Sequence, residues 1–270
     1  MKREPAVAGQ FYPFSKSELS AQLKSFFALP IPCENKKKII AAISPHAGYV
    51  YSGPIASYTY RELKKDNEFS CAIIIGPNHT GYGPGVSIFP NGSWKTPLGE
   101  VKVDEKIAKK ISNQEFVLDE SAHEFEHSIE VQIPFLQYLF KKIKIVPICL
   151  LDQSINTSIA LGNRLAEVIK DEKTIVIAST DFSHYIPYAE AYARDYKAME
   201  AIKNLDEKLL FENIEKYKIS MCGPGGVAAA IVYSKKKGAK QGKILKYGTS
   251  GDIIEDKSTV VGYGSLILEK

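Results

Sequence analysis

Short, nearly uninterrupted runs of Ile, Val and Ala alternate along this chain with longer stretches of mixed polarity. The runs Ile39–Ser44, 71–76, 144–149 and Thr174–Ser179 are five to six residues or so long and bounded by turn residues, the pattern of strands buried on both faces of a parallel sheet. Between them the spacing of apolar positions changes, and helices are predicted over 55–65, Glu105–Ile111, 126–140 and 154–170, the third kinked by Pro134. Segments 86–89 and 101–103, separated by Asn91-Gly92 and Pro97-Leu98-Gly99, read as a hairpin. The C-terminal third predicts helices at Tyr188–Lys203, Glu207–Tyr217 and 225–237, then strands at 243–249 and 259–268. Alternating strands and helices point to a three-layer α/β/α sandwich with a mixed, mostly parallel central sheet. There is no internal repeat, low-complexity segment or linker, so a single domain over 1–270 is expected.

Three of the four strand-like runs end at a histidine in a Pro, Gly or Ser-rich loop. These are Pro45-His46-Ala47-Gly48, Pro77-Asn78-His79-Thr80-Gly81 and Thr180-Asp181-Phe182-Ser183-His184. Ligands in open α/β sheets sit beyond the carboxyl ends of the strands, so the three imidazoles are expected to share a cleft. A single histidine in such a place is more often a hydrogen-bonded structural residue; the repeated placement is what argues for a metal or acid–base site. Asp181, three residues before His184, reads either as the carboxylate that orients this imidazole or as the cap of a following helix.

Cys222 lies in Met221-Cys222-Gly223-Pro224-Gly225-Gly226, just before an apolar helix. A helix N-terminus favours the thiolate, the form needed in a ligand or nucleophile; the alternative is a small buried hydrophobe beside a turn. His123-Glu124-Phe125-Glu126-His127 matches H-E-x-x-H, and Ser121 with Glu124 would make a capping box that places both histidines on one helix. The match stands at a helix start and lacks a downstream companion, so a metalloprotease is not the preferred reading. Tyr49, Tyr51, Tyr82 and Tyr185 flank the histidine loops and are candidates for an aromatic cleft wall.

Composition narrows the partners. The formal net charge of +4 rests on 31 Lys against 4 Arg. Bidentate phosphate and guanine recognition favours Arg, so nucleic-acid binding is not expected, and the runs Lys36–Lys38, Lys141–Lys144 and Lys235–Lys240 read as solvated faces. Cys33, Cys71, Cys149 and Cys222 form no C-x-x-C pair and suit a reduced, cytoplasmic protein. No apolar stretch approaches the length of a membrane span, and Met1–Pro5 is not followed by a signal-peptide core.

Taken together, several of these segments resemble the MEMO1 family (mediator of ErbB2-driven cell motility, with its archaeal and bacterial relatives). They are Arg3-Glu4-Pro5-Ala6-Val7-Ala8-Gly9-Gln10-Phe11-Tyr12-Pro13, Pro45-His46-Ala47-Gly48-Tyr49-Val50-Tyr51-Ser52-Gly53, Gly76-Pro77-Asn78-His79, Glu126-His127-Ser128-Ile129-Glu130, Ser179-Thr180-Asp181-Phe182-Ser183-His184, Cys222-Gly223 and Val261-Gly262-Tyr263. The prokaryotic branch is similar to component B of the AmmeMemoRadiSam set, which implies AMMECR1-like and radical-SAM proteins as partners. The family's fold is similar to that of LigB-type class III extradiol dioxygenases, which hold Fe(II) with two histidines and a carboxylate. The resemblance implies that His46 and His79 are metal ligands, that Cys222 stands where those enzymes have glutamate, and that His184 takes the acid–base position with His127 nearby. Two His plus Cys suits Fe(II), with Cu or Zn as alternatives, but is not the triad of ring-opening dioxygenases. Three readings follow: a redox-metal protein with an unidentified oxygen- or redox-linked reaction on a small molecule, a non-catalytic peptide- or protein-binding module, and a Cys222/His184/Asp181 hydrolase.

Overall fold

The computed structural model describes residues 1–28, 38–66 and 69–270; Cys33, Lys36 and Lys37 lie outside the described residues. In chain order its elements are β1 (Lys2–Arg3), α1 (Lys16–Phe27), β2 (Ile39–Ser44), α2 (Tyr49–Asp66), β3 (Cys71–Pro77), β4 (Val86–Ile88), β5 (Ser93–Thr96), β6 (Gly99–Lys102) and α3 (Glu105–Ile111). There follow β7 (Val117–Leu118), α4 (Ile133–Leu139), β8 (Lys144–Leu150), α5 (Ile155–Val168), β9 (Thr174–Ser179) and β10 (His184–Ile186). Last come α6 (Tyr188–Lys203), α7 (Glu207–Tyr217), α8 (Pro224–Lys236), β11 (Gln241–Thr249), α9 (Gly251–Ile254) and β12 (Val260–Glu269).

The four apolar runs are the centre of the main sheet. They lie in the order β2, β9, β3, β8, all parallel, with β12 antiparallel beside β2 and β4 antiparallel beside β8. Side chains of successive strand residues point to opposite faces. Thus Ile73 and Ile75 join the core under α5, α6, α7 and α8, while Ala72 and Ile74 join the core under α1, α2 and α4. Helices on both faces make the three layers expected from the alternating pattern. Side-chain caps start several helices, among them Ser15 on Glu18 N, Asp104 on Ile107 N and Ser154 on Thr157 N.

Three local expectations are corrected. The hairpin joins β5 to β6, whereas β4 pairs with β8 at the sheet margin. Asn91-Gly92 therefore connects two sheets rather than two strands of one hairpin. Pro134 does not kink a helix over 126–140; it sits in the first turn of α4, where a missing N–H costs nothing, and a 3₁₀ turn at Glu130–Gln132 precedes it. Helix α2 begins at Tyr49, six residues before the predicted start, and carries Pro54 inside it.

The segment before α1 is tied down by one buried carboxylate. Glu130 accepts from the Arg3 guanidinium at 2.5 Å, the N–H groups of Ala6 and Val7 at 2.8 and 3.1 Å, and the Tyr12 hydroxyl at 2.5 Å. This arm carries Phe11 to the carboxyl end of the sheet, where its carbonyl receives the Tyr49 N–H that opens α2.

Candidate metal centre

Strands β2, β9 and β3 are neighbours, so the loops that leave them converge at one end of the sheet. His46 follows β2, His79 follows β3, and the Thr180–Ser183 segment continues from β9, its first N–H still bonded to Ser44 O. The His79 loop is shaped by Asn78, whose side-chain oxygen accepts from Thr80 N at 3.0 Å and Gly81 N at 2.9 Å. Gly81 then turns the chain at φ +77, a conformation that favours glycine. Cys222 arrives from the loop before α8, and a Cβ on the adjacent Gly223 would stand 2.7 Å from the Ser179 carbonyl.

One ring nitrogen of His46, one of His79 and the sulfur of Cys222 lie within 4.8 Å of one another. His46 is buried and its tautomer follows from its partners. Ser179 Oγ donates to Ser128 O at 2.6 Å and accepts from Gln132 Nε2 at 2.8 Å, so His46 Nδ1, 3.0 Å away, is the donor to it. That leaves the Nε2 lone pair facing Cys222 Sγ at 3.2 Å. Burial, with His127 and His79 alongside, pushes the His46 pKa well below the ordinary value and keeps the ring neutral, the form a metal requires. His79 donates its backbone N–H to Glu126 Oε2 at 2.6 Å, and its Nδ1 lies 2.9 Å from Glu126 Oε1.

Cys222 Sγ receives the Asp181 N–H at 3.1 Å. Burial and the nearby Asp181 carboxylate push the metal-free thiol well above its usual range, opposing the helix-terminus effect expected from the sequence. Asp181 does not cap a helix, and its hydrogen bonds go to the His46 loop rather than to the His184 Nδ1. Its carboxylate accepts the His46 N–H at 2.8 Å, and the segment that follows is strand β10. Burial raises Asp181 to about 6, with the N–H groups of His46 and Ala47 working the other way. His184 is instead fixed by Ser220, whose hydroxyl takes its N–H at 2.7 Å and whose carbonyl lies 2.9 Å from Nδ1. The next residue, Tyr185, has φ 58, a strained setting for an aromatic residue.

His127 belongs to the same cleft. Its ring stacks on His79 with centroids 4.6 Å apart and stands edge-on to His46 at 5.4 Å. Burial lowers its pKa to about 4, against the pull of Glu126. His123 does not join it. Residues Ser121–His123 form a single 3₁₀ turn, and the H-e-x-x-H pair is not on one helix. His123 is fully buried among Phe89 and Trp94, with Nε2 3.0 Å from Ser87 Oγ. The Ser121 capping box is also absent: Ser121 bonds Asp119, which caps Ala122 N at 3.1 Å.

Of the four flanking tyrosines, Tyr49 is core, its hydroxyl donating to Val131 O at 2.7 Å, while Tyr51, Tyr82 and Tyr185 are exposed. Tyr185 nonetheless stands edge-on to His184 with ring centroids 5.9 Å apart, and Phe11, which was not among the four, lies 4.7 Å from His127. Phe11, Glu126, Ser179 and Gln132 join the site without having been expected there. Phe11, Glu126 and Ser179 stand in the segments that carry the family resemblance, whereas Gln132 stands in none of them.

The Memo-like protein family model matches residues 3–267 of this sequence. The chain belongs to the MEMO1 family. A MEMO1 family protein of Thermotoga petrophila is 46% identical over 99% of this chain and 100% of its own length. Others from Methanopyrus kandleri and Nitrosopumilus maritimus are each 42% identical, covering 100% and 98% of this chain and 100% and 99% of their own. Among solved structures, an uncharacterized protein of Escherichia coli K12 superposes with a TM-score of 0.53 over 85% of this MEMO1 family chain and 99% of its own, at 14% identity, a likeness of fold alone. Among the described residues no helix of this MEMO1 family member is long and apolar enough to cross a membrane.

Proposed function

We propose that this MEMO1 family protein binds a metal ion, in the first instance the redox-active Fe(II), with Cu or the redox-inert Zn as alternatives, through His46 Nε2, His79 Nε2 and Cys222 Sγ. The observation that carries the reading is the donor set itself: two imidazole nitrogens and one sulfur within 4.8 Å, on three separately anchored loops. Two imidazoles and a thiolate suit a borderline-to-soft metal. When bound, such a metal supplies Lewis acidity or an electron to a small substrate.

The surrounding residues have their own tasks. Asp181 clasps the His46 backbone. His184, whose Nδ1 is occupied by Ser220, offers its other nitrogen as an acid–base group. His127, held neutral by burial, is a proton acceptor beside His79. The reaction is an oxygen- or redox-linked step on a small molecule, and AMMECR1-like and radical-SAM proteins remain the expected partners. The hydrolase reading loses support, because the Cys222 thiol is pushed up and the Asp181 carboxylate holds the His46 N–H while the His184 Nδ1 lies against Ser220 O.

Purification without oxygen, followed by elemental analysis, tests the proposal. Stoichiometric metal in the wild type and none in the His46→Ala/His79→Ala double variant is expected. Metal that persists in the double variant overturns it. A peptide-binding module predicts that pulled-down partners are retained in that variant.

A further inference from the structure

Glu126 has no role in the reading above, yet it is fully buried and lies where two of the cleft's imidazoles meet. Three N–H groups converge on its carboxylate. His79 N donates to Oε2 at 2.6 Å, while Oε1 takes Ser128 N at 2.8 Å and lies 2.9 Å from His79 Nδ1. The His127 Nδ1 atom is 3.4 Å from the same Oε1, beyond a well-formed hydrogen bond. The two rings that compete for this oxygen are stacked 23° from parallel.

We infer that Glu126 is a positioning residue that divides the roles of the two stacked imidazoles: it holds His79 as the Nδ1–H tautomer with Nε2 presented to the cleft, and leaves His127 on the looser contact. An ionised carboxylate only accepts, so the proton between it and His79 belongs to Nδ1. Ser179 sets His46 in the same sense, so both rings offer Nε2. Carboxylates behind metal-bound histidines fix ring orientation and basicity in this way. A purely structural carboxylate needs no imidazole, as Asp195 shows: its partners are the Ser183 N–H and hydroxyl and the Tyr247 hydroxyl. Glutamine at position 126 would offer one acceptor and one NH₂ group, leaving at least one of the three converging N–H groups against another donor.

The inference rests on the metal-binding reading, and the experiment separates the two. In ¹⁵N-histidine NMR of the metal-free wild type at pH 8, the His79 ring is expected as Nδ1–H; an Nε2–H ring overturns the inference without any substitution. Cobalt(II) titration then compares wild type, Glu126→Gln and Glu130→Gln, the last a buried carboxylate whose hydrogen bonds go to Arg3, Ala6, Val7 and Tyr12 rather than to an imidazole. Glu126→Gln is expected to bind cobalt about 10–100-fold more weakly with its sulfur-to-cobalt absorption retained, while Glu130→Gln loses stability and keeps its affinity. Equal affinity in wild type and Glu126→Gln overturns the positioning role alone. A wild type that takes up no cobalt overturns the metal-binding reading and this inference with it.

Discussion

The carboxylate of Asp181 accepts the backbone N–H of His46 at 2.8 Å, linking the loop after β9 to the loop after β2. Through its own N–H it also reaches Cys222 Sγ at 3.1 Å. One residue therefore braces two of the three proposed ligands through hydrogen bonds, whereas the His184 Nδ1 lies against Ser220 O.

A pair of variants separates these roles. Asp181→Asn keeps one acceptor but replaces the other with a donor. It is expected to lose about 1–2 kcal/mol of stability and about tenfold or more in cobalt affinity. His184→Asn is expected to leave cobalt affinity unchanged, since its ring is bonded to Ser220. Calorimetric titration of both decides the matter. The reverse outcome, affinity lost only in His184→Asn, would restore an Asp181–His184 dyad.

Cys222 predicts the pH dependence of metal uptake. Because burial and Asp181 raise its thiol, the metal-free protein carries S–H at neutral pH and must release that proton on binding. Apparent affinity for cobalt is expected to rise about tenfold per pH unit through neutrality, a slope that Cys222→Ser abolishes. Iodoacetamide should react with Cys222 slowly in the folded, metal-free protein. Rapid and selective alkylation would revive the nucleophile reading.

The Arg3–Glu130 pair, both side chains almost wholly buried, anchors the arm that brings Phe11 onto His127. Removing one partner strands a buried charge, so Arg3→Ala is expected to destabilise the protein by about 3–5 kcal/mol. Urea unfolding measures this, and limited proteolysis should cut first before α1. A change below 1 kcal/mol would show that the arm is not held by this contact.

The central sheet was legible because β2, β3, β8 and β9 are covered on both faces, and such strands must be almost wholly apolar. The loop positions of His46, His79 and Asp181 followed from it. What the sequence hid was the set of buried carboxylates. Glu126 clasps the His79 loop, Asp181 the His46 loop, Asp195 the Ser183 turn and Glu130 the N-terminal arm. In a string of letters an acidic residue reads as surface, and its burial becomes evident only when the N–H groups of a distant loop are seen to converge on it. The same blindness made Asp181 look like a neighbour of His184, three residues away, when its partner lies 135 residues off.

His123 shows what a histidine outside the cleft contributes. Burial, with the Arg3 charge nearby, lowers its pKa to about 3, whereas in the unfolded chain it titrates near 6.5. As pH falls from 6.5 towards 3, the unfolded state gains a proton that the folded state refuses, so this residue's contribution to stability is lost on acidification. The loss amounts to at most about 1.4 kcal/mol per pH unit. His123→Leu removes the titration together with one hydrogen bond to Ser87, whose hydroxyl retains Asp119 O at 3.0 Å. Because it also removes a buried Nδ1 that has no partner among the described residues, the lost bond is offset and stability at pH 7 should change by no more than about 1 kcal/mol. The difference should move steadily in favour of the variant below pH 6.5, because all other titrating groups are common to both proteins. Urea unfolding at pH 7, 6, 5 and 4.5 reads the difference, and parallel curves would mean that the folded protein protonates His123 normally. Cobalt affinity of His123→Leu at pH 7.5 should match the wild type, and its loss would bring back the H-E-x-x-H pair as a ligand set.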